Sequence, residues 1–471
     1  MALVFVGCND ELKELEPFVQ GNPSTFFNTE QTFQYGVDGA YAQFFNYYAD
    51  GANGYQGLPD ILSDNVIIAR TGRLSNETFY DYRYQPNTGG SVSLWWSEAY
   101  EAISNANLVI GQIDNLADSP EKDNILGQAL AARAIAHFDL VRAYAKIPTQ
   151  SADAAQSPGI IYIKVEDGDT DDPLANPTRE TVASNYTEIL GDLTRASQLI
   201  GDDNGEGRLN KNGVFGMLSR VYLYNGQYQD AISAANQVDA PIATKEQLPG
   251  VFTDDNNAGV LIEWSVNTSS ESTYENVGVL YSQTVSGDLK SEYVIDYAFY
   301  TSIDTSDVRR PIMVERVMYS NNDYNAINKF KGEGTQINGL LDIKVLRMAE
   351  VFLNKAEAQF ELGMETEALA TLNVLRAERY NNFVAGTETG SALEEAIQFN
   401  RRVELSFEGH RFFDLKRRGK AITRSDFGDF ADGGGTPAEI KVLPAGDNKF
   451  QLPLPIGETN ANSNIEQNPG Y

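Results

Sequence analysis

Histidine and cysteine are almost missing from this chain: His137 and His410 are the only histidines and Cys8 the only cysteine in 471 residues. Two histidines cannot furnish the ligand sets of familiar zinc sites. No His-Glu-x-x-His sequence, Gly-x-Ser-x-Gly elbow or phosphate-cradling Gly-x4-Gly-Lys loop occurs, so zinc and triad chemistry lack their parts. His137 lies within an apolar helix face and reads as a satisfied core residue. A lone cysteine excludes a disulfide within the chain. Also lacking is any run of about 20 apolar residues, the length a membrane-crossing helix needs. Basic residues are scarce, 36 against 66 acidic ones, and the resulting negative field repels phosphate backbones and anionic lipid headgroups. Nucleic acid is not an expected partner. Polyanionic glycans are disfavoured too, except where a cluster such as Arg70 and Arg73 reverses the field within roughly 8–10 Å.

What is present begins at the N-terminus. Ala2-Leu3-Val4-Phe5-Val6-Gly7-Cys8 reads as the end of a signal peptide running into a lipoprotein cleavage site, with small Gly7 before the cysteine to be acylated. Residues 1–8 are then signal remnant and lipidated Cys8, residues 9–30 a polar tether, and residues 31–471 one large domain, a length at which single cores normally stop growing. A buried thiol is the alternative for Cys8.

The periodicity predicts a mostly α fold. Ser93 to Leu116 and Ile125 to Tyr144 carry apolar residues at helical spacing and should pack as an antiparallel pair. Residues 149–177 read as loop, and a third helix is expected after Pro177-Thr178, with Glu180 in its first turn, stopping near Gly201. Asn210–Val238 and Leu340–Arg379 overlay on Gly226 and Gly363. Each then has an alanine five residues on, Ala231 and Ala368, in the manner of tetratricopeptide hairpins. Helical hairpins over about 93–239 and 340–420 are therefore expected, separated by a loop-rich, partly β insertion at 240–339 that includes the β-like run Val260–Trp264.

Aromatics crowd two stretches that do not read as helices, Tyr55–Trp96 and Trp264–Phe330. Sugar rings offer C–H faces to flat π systems, and their hydroxyls need planar partners such as Asn, Asp and Arg. Carbohydrate contacts are therefore expected at Asp64, Asn65, Arg70, Arg73, Tyr80 and Tyr82 in the first stretch, and at Tyr274, Tyr281, Tyr297 and Tyr300 in the second. Trp264 and Trp96 are expected to pack inward. Glu404 and Glu408, one helical turn apart, invite comparison with a glycosidase pair. The arginines around them, Arg401, Arg402, Arg411, Arg417 and Arg418, instead predict a structural corner, with Gly409 ending one helix. Asp167–Asp172 begins like a calcium loop, but Asp172 stands where Gly is needed and Thr178 where a bidentate Glu is needed. No metal or cofactor is expected beyond adventitious calcium.

Several phrases resemble the SusD/RagB family of outer-membrane lipoproteins across nearly the whole chain. Trp96, Tyr100, Ile103 and Asn107 are similar to the family's early helix, and Thr178–Leu199 with Tyr186, Ile189, Asp192 and Leu193 to its middle one. Arg208-Leu209-Asn210-Lys211 leading to Leu218–Tyr224 is similar to the next. The most specific matches are Arg401–Leu405, Phe407–Arg411, Asp414–Arg417, Leu452-Pro453-Leu454-Pro455 and the closing Gln467–Tyr471. The resemblance implies four tetratricopeptide-like hairpins with a binding surface built from the less regular regions. It also implies a lipid-anchored position at the cell surface, and glycan capture without catalysis for a SusC-like TonB-dependent transporter. Two alternatives stay open from the residues alone: an endo-acting glycoside hydrolase, and a tetratricopeptide scaffold that grips a peptide.

Overall fold

The computed structural model describes residues 23–165, 176–266, 277–285, 288–330 and 341–471. Its body is a continuous stack of helices. The first, α1 (Glu30–Ala49), is absent from the periodicity reading above, although Thr29 caps it through a reciprocal pair: its hydroxyl accepts from Thr32 N at 3.3 Å and Thr32 Oγ1 accepts from Thr29 N at 3.1 Å. Phe33, Val37, Phe44 and Tyr48 line its buried side. Phe27 is buried with its ring 4.9 Å from Phe33, so the last residues of the expected tether belong to the folded body.

Helices α2 (Ser91–Gln112) and α3 (Pro120–Tyr144) pack on α1 and on each other, as the spacing predicts. α3 is buried on every side from Ile125 to Tyr144. Its alanines let neighbours approach closely, and its charges are paired inside: Arg142 with Asp139 at 2.6 Å, Arg133 with Asp192 at 2.7 Å. His137 is a satisfied core residue. Its Nδ1–H donates to the Arg133 carbonyl (2.9 Å), Nε2 accepts from Ile163 N (3.1 Å), and its ring stacks on Tyr162. The third expected helix, α4 (Val182–Leu199), starts later than Pro177-Thr178 suggests. Gly159 N donates to Glu180 O and Glu180 N to Ile160 O, which holds the approach extended until Thr181 caps the helix, and Glu180 stays outside its first turn.

The two sequence hairpins are real: α5 (Lys211–Tyr224) with α6 (Tyr228–Ala235), and α7 (Met348–Glu361) with α8 (Glu365–Ala377). Gly226 and Gly363 both take left-handed backbone, at φ +73° and +74°, and close the same 6→1 hydrogen bond, Gln227 N to Tyr222 O and Met364 N to Gln359 O. Ala231 and Ala368 are fully buried. Although residues 240–339 separate them in sequence, the hairpins stack directly. Leu223, Ala231, Ile232 and Ala358 form one apolar cluster between them. α9 (Gly390–Glu404) and α10 (Arg411–Arg417) close the array.

The insertion supplies strands. Besides the short pair Gln283–Val285 with Asp288–Lys290, the insertion, the early segment and the run just after the insertion give β1 (Val66–Ile68), β2 (Val260–Trp264), β3 (Tyr293–Ile295), β4 (Val314–Tyr319), β5 (Asn322–Ile327) and β6 (Ile343–Arg347). β2 and β6 pair antiparallel within the helical body, and Trp264 is buried, stacked 4.6 Å from Phe44. β6 occupies residues where the overlay above expects helix. The others form an antiparallel sheet of order β1-β3-β5-β4, joined at the β4–β5 hairpin by Ser320-Asn321, both left-handed.

The carboxyl-terminal signature is a buried charge lattice. Glu404 meets Arg309, Arg347 and Arg379 at 3.0, 2.8 and 2.8 Å, and Glu408 meets Lys329 and Arg347, each at 2.6 Å. These partners are distant in sequence. The neighbouring arginines serve other acids: Arg401 and Arg417 hold Asp414, Arg402 and Arg411 hold Asp64, and Arg418 holds Glu394. Gly409 turns the corner at φ +79°, where a Cβ would stand 2.6 Å from Tyr55 O.

Candidate functional site

The two aromatic stretches meet in space. β1, from the first, pairs with β3, from the second, with Ile67 opposite Val294. One face of the sheet joins the main core through Val66, Ile68, Tyr293 and Ile295. The other carries a small separate cluster of Ile67, Val294 and Tyr324, flanked by Val317, Tyr319 and Phe430. A third segment, residues 425–436, lies against it. Ala431 N donates to Asp323 O, and Asp429 accepts from both Arg70 N and Thr436 N.

Where this segment meets the short helix Tyr297–Ser302, aromatic rings reach the surface. Asp296 caps the helix through Phe299 N (2.9 Å) and also accepts from the Ser425 hydroxyl, which ties helix and segment together. Tyr297 and Tyr300, one turn apart, are half-buried. Tyr297 leans edge-on against Phe427, centroids 4.9 Å apart, and Phe427 is 43% exposed. Gly433, at φ +84°, lets the backbone close on this pair: a Cβ there would lie 2.7 Å from the Tyr297 ring and 2.8 Å from the Phe427 ring. The Arg310 guanidinium sits 4.4 Å over Tyr300, and Arg316, exposed and paired with Asp323, stands nearby. Flat rings flanked by planar hydrogen-bonding groups make this ledge able to stack a sugar and bond its hydroxyls.

Of the residues expected to contact carbohydrate, Tyr297 and Tyr300 are on the ledge. Tyr274 lies outside the described residues, as do Cys8 and the acidic loop 167–172. Tyr80, Tyr82 and Tyr281 are core residues and not surface platforms. Arg424 lies 3.7 Å over the Tyr80 ring and 4.8 Å over Tyr82, whose hydroxyl donates to Leu62 O, and Tyr281 stacks on Phe330. The alternation around Tyr80 reads like a two-faced strand. The chain there is a helical turn followed by left-handed Tyr82 at φ +55°, which sends both rings inward.

Asp64 and Asn65 are buried as well. Burial alone would raise the Asp64 carboxyl, but the Arg402 and Arg411 guanidinium groups hold it well below the usual range. Asn65 accepts from Arg402 Nε at 2.8 Å and donates to Asp60, while its carbonyl accepts from Asp296 N. Arg402 in turn covers Phe299 at 4.0 Å. These residues support the ledge helix from behind. Arg70 pairs with Glu77, and Arg73, half-exposed, with Glu292. Phe427, Gly433 and Arg310 are missing from the sequence expectations, although Ser425–Gly435, with two phenylalanines among Asp and Gly, has the composition that marked the other two stretches.

No acid-base pair is offered by Glu404 and Glu408: both are buried, and burial, which would raise Glu404, is overcome by Arg379, Arg347 and Arg309, which keep it well below the ordinary carboxylate range. Glu206, Glu263 and Asp342 bring carboxylate oxygens within 4.8 Å of one another. Burial pushes Asp342 up to about 6, Lys344 bridges Glu263 and Asp254, and Val266 N bonds Asp342, so two of the three acids already have partners.

A helical-repeat body that presents an irregular aromatic ledge is the class of protein this geometry defines. Two sequence families match in succession: one described as "Starch-binding associating with outer membrane" over residues 22–223, and the SusD family over residues 251–471. SusD-like protein P38 of Formosa agariphila is 24% identical over 466 residues, covering 88% of each chain. Starch-binding protein SusD of Bacteroides thetaiotaomicron is 32% identical over 130 residues, 28% of this chain and 22% of that protein. The crystal structure of a SusD superfamily protein from Bacteroides thetaiotaomicron superposes with a TM-score of 0.81 at 26% identity, covering 94% of this chain and all of the other. The chain belongs to the SusD/RagB family. Among the described residues no helix is long and apolar enough to cross a membrane.

Proposed function

We propose that this protein captures poly- or oligosaccharide at the ledge of Tyr297, Tyr300 and Phe427 and hands it to a SusC-like TonB-dependent transporter. It does so without catalysis, held at the outer-membrane surface by a lipid on Cys8. The observation that carries the reading is the edge-on Tyr297–Phe427 pair, kept at the surface by Gly433 and flanked by guanidinium groups on a rigid helical frame. The family, one of whose members is named for starch binding, supports the ligand class. A shallow platform suits a protein that must release its cargo, and affinities in the micromolar to millimolar range, about −8 to −4 kcal/mol, are expected. The net charge of −30 favours neutral glucans, xylans or mannans over alginate or pectin.

Affinity electrophoresis through gels containing starch, laminarin, xylan, mannan, pectin or alginate tests this. Retardation by at least one neutral polysaccharide, with no new reducing ends after prolonged incubation, is the expected result. Mobility unchanged in every gel contradicts glycan capture, and release of reducing ends moves the protein into the glycoside hydrolases.

A further inference from the structure

We infer that a cleft beside α1, separate from the ledge, is a second carbohydrate site that takes one or two rings of a neutral glycan. The inference rests on the function proposed above for the chemical class of the ligand and on the cleft for everything else. The cavity measures about 730 Å³, within the roughly 300–1,000 Å³ typical of small-molecule sites. Beneath it Tyr41 and Trp264 are buried and stacked on each other with centroids 5.9 Å apart, so the aromatic surface open to a ligand is that of half-buried Phe45, which forms a wall.

The polar groups around these rings are fixed in advance. Arg208 and Asp38 make a two-pronged pair at 2.9 and 2.7 Å, and both remain partly exposed. Left-handed Gly207 brings the chain so close to Ser265 that a Cβ would stand 2.5 Å from Ser265 Oγ. Among the described residues, neither the Ser265 hydroxyl nor the Glu206 carboxylate on the rim forms a hydrogen bond or an ion pair. These are the groups left to meet sugar hydroxyls. With Arg208 neutralised by Asp38, the uncompensated charge is the negative Glu206, which repels uronic acids and sulfated sugars and selects a neutral ligand. Two contact points on one polymer also raise its overall retention without making either contact tight.

The test is binding stoichiometry by isothermal titration with malto-, laminari-, xylo- and mannohexaose. It compares wild type with Ala42→Trp, which fills the cleft from an exposed helix position, with Glu206→Ala/Ser265→Ala, which removes its free polar groups, and with Tyr297→Ala/Phe427→Ala on the ledge. Two sites in wild type, falling to one in the tryptophan variant and one in the ledge variant, are expected. The Glu206→Ala/Ser265→Ala variant should bind the second site at least about fivefold more weakly. If the ledge variant loses all binding while both cleft variants match wild type, the cleft proposal is wrong and glycan capture stands. If wild type binds none of the four, both are wrong.

Discussion

Tyr297 is half-buried beside Phe427, whereas Tyr80 is fully buried beneath Arg424. That difference in environment separates a ring open to a ligand from one that serves the core. Removing the Tyr297 ring should weaken glycan binding by about 1 kcal/mol, roughly fivefold, and leave the urea midpoint unchanged. Tyr80→Ala should instead lower unfolding free energy by about 3–5 kcal/mol, because it opens a core cavity beneath a guanidinium that uses the ring as its partner. Composition did not reveal this division. Tyrosine has an apolar body and a polar tip, so a Tyr-rich stretch is compatible with either fate, and the side that faces out depends on partners such as Arg424, distant in the chain. Asp64 and Asn65 show the same limit: their chemistry suits a sugar hydroxyl, but Arg402 and Arg411 take it.

At the scale of elements, glycines with positive φ do different work. At Gly363 a Cβ meets nothing within 4 Å, so Gly363→Ala carries only the left-handed backbone cost, about 1–2 kcal/mol. At Gly409 the same change also drives a methyl into the Tyr55 carbonyl, and about 3 kcal/mol or more should be lost in urea unfolding. The hairpins were legible because glycine at the turn and alanine five residues on are local signals. Helix α1 carries an equally local signal, the Thr29 cap and apolar residues at three- and four-residue spacing. The direct stacking of the two hairpins was not legible, since Leu223 and Ala358 are far apart in sequence and lie together beside the antiparallel pairing of β2 with β6. Nor was segment 425–436 legible as part of the ledge, because its place depends on Asp323 and on Asp296 in other elements.

At the scale of the molecule, buried charges set the response to pH. Burial would raise Glu357, but Arg417, Arg401 and Arg418 hold it at about 2. Its folded value is thus below the unfolded one, and its contribution, about 3 kcal/mol, is complete above pH 4.5 and lost as pH falls through about 2. Asp60 has the opposite sign: burial pushes it up to about 6, so it destabilises the fold above that pH and the penalty fades on acidification toward 4. On these two groups stability should therefore be highest near pH 4–4.5 and decline as the pH rises to about 6, measured by urea unfolding across pH 2–8. Glu357→Gln should flatten the acid limb, and a curve rising steadily from pH 5 to 8 would contradict these assignments.

The helical stack buries a lattice of paired charges and carries an irregular aromatic surface, and glycan binding by that surface is the central claim. Calorimetric titration of wild type and Tyr297→Ala/Phe427→Ala with the polysaccharide that retards wild type tests it most directly. The prediction is at least an about tenfold loss of affinity in the variant at an unchanged melting temperature. Equal affinities for the two proteins would contradict it.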